Sequence, residues 1–117
     1  MKRILVVVFA ISSLLLAGAS FAQSGHTYKG EIMDSACAKS GSHAAMQKDH
    51  PGTNKECTLA CVKMGAKFVL YDAETKTTYQ LSDQKKPEEF AGDKVEVSGT
   101  LDKATKTIKV SDIKAMS

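Results

Sequence analysis

The sequence contains no G-x-S-x-G, no H-E-x-x-H and no glycine-rich phosphate loop. It therefore lacks the nucleophile elbow, the zincin helix and the nucleotide cradle, and no hydrolase constellation is visible. It has no C-x-x-C, so the thioredoxin-type redox pair is missing, as is the alternating βαβ pattern that carries it. Cys61 is followed by Val62 and completes no C-x-x-C-H, which sets aside covalent c-type haem. There is no Lys/Arg block that could track a phosphate backbone, so nucleic acid is not an expected partner.

What the chain does have begins at its first residues. Met1-Lys2-Arg3 is a short positive segment, Ile4 to Ala17 is uncharged and largely Leu, Val, Ile and Ala, and Ser20-Phe21-Ala22 places small residues before a cleavage point. This is the layout of a secretory signal peptide over residues 1–22, which predicts a periplasmic or secreted protein with no membrane anchor after cleavage. The apolar run falls short of the roughly 20 residues a membrane span needs. The 16 Lys+Arg and 13 Asp+Glu give +3. Lys2 and Arg3 leave with the signal, so residues 23–117 carry only one positive charge in excess. They form one domain near the lower size limit for a self-sufficient core, where a disulfide or a metal often assists.

Residues 28–34 alternate, Tyr28, Gly30 and Ile32 against Lys29 and Glu31, as in a half-buried strand. From Lys67 onward the strand signal returns at Phe68–Tyr71, Thr77–Leu81, residues 94–99 and Thr107–Val110. Asp72-x-x-Thr75-Lys76-Thr77 and Asp102-x-x-Thr105-Lys106-Thr107 share one turn chemistry, with Asp opening each turn through its side chain. Gln84–Phe90, with Pro87 early, suits a short helix. Five short strands with a helix between the third and fourth predict a mainly β fold, a small OB-like barrel, with residues 34–66 inserted between strands 1 and 2.

That insert bears Cys37, His43, His50, Cys57 and Cys61. Pro51-Gly52 marks a turn, Thr53-x-x-Glu56 is a capping-box signature and Gly65 suits a helix end, so residues 54–64 read as a helix, with a weaker turn over 42–49. Cys57, Ala60, Cys61 and Met64 then share one helix face. Three chemistries follow. A disulfide from Cys37 to Cys57 or Cys61 would pin the insert, closing a loop of about 20 residues for roughly 3 kcal/mol and leaving one odd thiol. A bridge between Cys57 and Cys61 within one regular helix is disfavoured by geometry. Alternatively, Cys37, Cys57 and Cys61 with His43 or His50 make a Cys₃His set sufficient for Zn²⁺, or for Cu⁺ with Met46 or Met64 nearby. Finally, Cys57 near a helix N-terminus could serve a thiol oxidoreductase with Cys61. Asp34-Ser35 reads as a strand end with turn capping, and Tyr71 and Tyr79 as core aromatics that could otherwise offer a stacking face to a ligand or protein partner.

The stretch Gly30-Glu31-Ile32-Met33-Asp34-Ser35-x-Cys37-Ala38, the Cys57-x-x-x-Cys61-Val62-Lys63-x-Gly65 segment and Phe90-Ala91-Gly92-x-x-Val95-x-Val97-x-Gly99 resemble a family of small secreted bacterial proteins of unknown function. The resemblance implies export, a β-barrel core and a shared cysteine framework, and it implies no reaction. The expected protein is thus an exported, non-enzymatic monomer, its insert held by a disulfide or binding Zn or Cu.

Overall fold

The computed structural model describes residues 25–49 and 51–116. The expected signal peptide, residues 1–22, and His50 lie outside the described residues. Strand β1 (His26–Asp34) is followed by three short helices, α1 (Ser35–Ser40), α2 (Ala44–Asp49) and α3 (Asn54–Lys63). Then come β2 (Phe68–Asp72), β3 (Thr77–Leu81), a 3₁₀ turn (Lys86–Phe90), β4 (Lys94–Asp102) and β5 (Thr107–Ala115). The strands close into a barrel in the order β1-β2-β3-β5-β4, the OB-like architecture expected, with the helical insert between strands 1 and 2.

Closure depends on β1 serving two neighbours. Its first half pairs with β4 (His26 opposite Gly99 to Glu31 opposite Lys94), and its second half with β2 (Glu31 opposite Tyr71 to Asp34 opposite Phe68). A short parallel contact, Gln80 and Leu81 against Thr107 and Ile108, completes the ring. Ile32, Phe68, Leu70, Leu81, Val95, Val97, Ile108 and Ile113 fill the interior. Removing this apolar surface from water drives the fold at about 25 cal/mol per Å².

Three differences from the sequence reading have local causes. Strand β5 runs on to Ala115, because a bulge opposite Ser98 and Gly99 leaves Ser111 as an extra residue. The bulge shifts the inward positions from Ile108 to Ile113, which breaks the alternation visible in the sequence. The helix expected from Gln84 shortens to Lys86–Phe90. Asp83 Oδ1 accepts from the backbone of Lys85 and Lys86 (2.8 and 3.1 Å), which holds its carboxyl below the usual range, while the Gln84 amide bonds both the N–H and the carbonyl of Phe68. Helix α1, which carries Cys37, was not expected as a helix; it is six residues long and shows no periodicity.

The two Asp-x-x-Thr-Lys-Thr turns behave alike. Asp72 and Asp102 each accept from the backbone two residues on (2.9 Å), and Lys76 and Lys106 sit at φ 54° and 55°. Gly92, at φ 81°, lies so close to α3 that a Cβ there would stand 2.5 Å from the Lys55 nitrogen. Only glycine lets the insert seat on the barrel at this point. No helix among the described residues is long and apolar enough to cross a membrane.

Candidate metal centre

Asp34 ends β1 and starts α1. Its Oδ2 accepts from the Cys37 backbone at 2.8 Å, a short N-cap that sets Cys37 one turn into the helix. Gly41 at φ 75° ends that helix, its N–H donating to the carbonyls of Cys37 and Ala38. Ser35 is tied to Lys67 in both directions, Ser35 N–H to the Lys67 carbonyl at 2.8 Å and Lys67 N–H to Ser35 Oγ at 3.1 Å.

Helix α3 supplies the other two sulfurs. The capping box is complete: Thr53 Oγ1 accepts from Glu56 N–H at 3.1 Å, and Glu56 Oε1 accepts from Thr53 N–H at 2.8 Å. Cys57 and Cys61 follow one turn apart on the buried face, as the helical spacing predicts. Met33, Ala38 and Val69 enclose the sulfurs in a second buried cluster beside the barrel interior, with Met46 and Tyr71 packed against it.

The outcome is a four-residue group. One ligand atom from each of Asp34, Cys37, Cys57 and Cys61 lies within 4.8 Å of the others, and all four residues are buried. Cys37 Sγ and Cys57 Sγ are 3.9 Å apart. That is far beyond a disulfide bond of about 2.05 Å, and among the described residues all three cysteines are free thiols. Two thiolates on one tetrahedral Zn²⁺ at about 2.3 Å stand about 3.8 Å apart, which matches the observed pair. Asp34 is 0 % exposed and its Oδ1 has no hydrogen-bond partner. A buried carboxylate with one unpartnered oxygen beside three sulfurs is a costly arrangement unless a cation or proton satisfies it.

The thiols respond to this surrounding. Burial first, and then the Asp34 charge, push Cys61 up to about 11. The same causes, joined by the contact with Cys57, raise Cys37 further. Both shifts run opposite to the lowered pKa of an activated thiolate. A bound cation would reverse them, because a coordinating thiol is deprotonated outright.

His43 is placed elsewhere. It is 4 % exposed, and its Nε2 meets Glu31 Oε2 at 2.7 Å, with Asn54 Nδ2 on the same oxygen at 3.5 Å. Glu31 thus holds His43 away from the sulfur group, and Asp34 stands as the fourth member. The sequence signal for Asp34 was its position three residues before Cys37; read as a cap, it hides a second use of the same carboxylate. Tyr71 packs on the sulfur cluster, and Tyr79 packs against Tyr28 at 5.4 Å between ring centroids, so both aromatics are half-buried in packing roles.

Residues 62–116 match the model of a family described as Protein of unknown function (DUF5818). The matched stretch begins within α3, just after Cys61, and covers β2 to β5. Asp34, Cys37, Cys57 and Cys61 all precede it, so the four-residue group belongs to the part of the chain outside the match. Searches of the curated proteins and of the solved structures give no match.

Proposed function

We propose that this protein is an exported, non-enzymatic metal-binding domain in which Asp34, Cys37, Cys57 and Cys61 hold one thiophilic d¹⁰ ion. The observation that carries the reading is the convergence of these four buried donors within 4.8 Å. Zn²⁺ suits all four donors in a closed tetrahedron, and Cu⁺ suits the three sulfurs. The ion joins α1 and α3, two elements linked otherwise by few hydrogen bonds, to the end of β1. Its chemistry is structural or storage chemistry; the raised thiols argue against a redox nucleophile. Export rests on the charged, apolar and small-residue segments of residues 1–22.

The contact between Cys37 and Cys57 favours a second reading, in which an oxidising compartment joins them as a staple and leaves Cys61 free. Metal analysis and thiol counting on the same purified sample separate the two. One ion per chain, three thiols after its removal, loss of Zn²⁺ in Asp34→Ala and loss of either ion in Cys61→Ser support the centre. One free thiol with no metal before or after reduction and reloading overturns it in favour of the staple.

A further inference from the structure

Resting on that reading, the geometry points to Cu⁺ as the ion exchanged, taken up through a thioether-lined cleft that opens directly onto Cys57 and Cys61. The cleft has a volume of about 500 Å³, and Met46, Met64, Cys57 and Cys61 contribute to its walls. Among the described residues, Cys57 and Cys61 form part of its lining, whereas Cys37 and Asp34 do not. The centre therefore fills from the α3 side.

The methionines are distributed in a way that packing alone does not require. Of the four that follow Met1, Met33 is buried in the sulfur cluster, Met46 packs against it and Met64 stands on the cleft wall. Met64 is 72 % exposed, one of only two large apolar side chains so exposed among the described residues. It caps α3 one turn beyond Cys61, where Gly65 and Ala66 turn the chain back towards β2. An exposed methionine, a half-buried methionine and two buried cysteines lining one cleft form a graded set of soft donors. Thioethers bind Cu⁺ and have little affinity for Zn²⁺, which prefers thiolate, imidazole and carboxylate. Among the described residues, neither His43, which is engaged with Glu31, nor any carboxylate other than that of Glu56 lines the cleft, and Glu56 is committed to the capping box.

The transfer is ligand exchange with no change in oxidation state. Cu⁺ reaches Met64 and Met46 as a weakly held thioether complex. Bonds to Cys57 and then Cys61 sulfur form as the thioether bonds break, and each thiol releases its proton to water. Cys37 closes the three-sulfur set from behind. Asp34 keeps its hydrogen bond to the Cys37 backbone and so orients that sulfur.

The test is anaerobic metal uptake by the full chain, with Cu⁺ supplied from its bathocuproine disulfonate complex and Zn²⁺ run in parallel. In Met46→Leu/Met64→Leu, a pair of volume-conserving changes, Cu⁺ uptake is expected to slow about tenfold while the final stoichiometry and the Zn²⁺ rate stay at wild-type values. Met64→Leu alone, at an exposed position that leaves the fold intact, should show part of the slowing. Equal Cu⁺ rates in wild type and both variants overturn the proposal, as does equal slowing of Cu⁺ and Zn²⁺, which would indicate a narrowed cleft. A wild-type chain that loads Zn²⁺ but refuses Cu⁺ overturns the copper assignment and leaves the four-donor centre standing. Uptake of neither ion overturns both.

Discussion

At the scale of the residue, Asp34 does two jobs with two oxygens. Oδ2 caps α1, Oδ1 has no hydrogen-bond partner, and the carboxylate lies within 4.8 Å of the three sulfurs. In the metal-free chain its charge helps hold the thiols protonated, so Asp34→Asn should move the Cys61 titration down from about 11, as read from thiolate absorbance against pH. The linkage has a definite sign. A thiol whose pKa rises on folding contributes stability that is whole below about pH 8.5 and disappears as the pH climbs through the folded value near 11. The metal-free protein should thus lose stability from about pH 8.5 upward, measured as a falling denaturant midpoint. Metal affinity should run the other way, rising with pH, because binding must displace protons from the thiols. Calorimetry in buffers of different ionisation enthalpy should show about three protons released per ion near neutral pH. Release of none would mean that the sulfurs are not the ligands. Sequence spacing placed Cys57 and Cys61 on one helix face. It could not show that Glu31 would claim His43, because that choice depends on where β1 passes the insert.

At the scale of the element, α3 is the platform for the centre, and its start is written locally. The Thr53–Glu56 box was legible because both partners lie within one turn and need no tertiary contact. Thr53→Ala removes the side-chain acceptor for Glu56 N–H, at a cost of about 1 kcal/mol. Since Cys57 is in that first turn, metal affinity should fall about fivefold, the equivalent of that energy, in a competition titration with a chromophoric chelator. Unchanged affinity would show that the ion does not depend on the first turn of α3. The strands were similarly legible where alternation is regular, and both hairpin turns were marked by their Asp and Thr residues. Legibility failed where a distant partner redirects the chain. Gln84 leaves the helix pattern to bond Phe68, and Ser111 interrupts the alternation of β5 where the strand passes Ser98.

At the scale of the whole molecule, two separate clusters divide the labour. The barrel interior is built mainly from strand residues, with Leu59 and Val62 of α3 packed against it, and the sulfur cluster from β1, α1, α3 and β2. The sulfur cluster, lying outside the barrel interior, is the part of the insert whose loss would leave the barrel core in place. Chelation of the ion should increase amide exchange across 35–63 while β4 and β5 stay protected, and should lower the melting temperature of the insert ahead of that of the barrel. Uniform loss of protection over all five strands would show instead that the centre and the barrel unfold as one unit. The chain's own periodicities and turn residues determined the five strands, the position of α3 and the presence of three sulfurs in one insert, because those signals act over a few residues. Closure of β1 on both β2 and β4, the seating of α3 on Gly92 and the arrival of Asp34 beside the three sulfurs were decided only in three dimensions. Each depends on which backbone and charge arrive next to a group from far along the chain, and local pattern carries no record of that meeting.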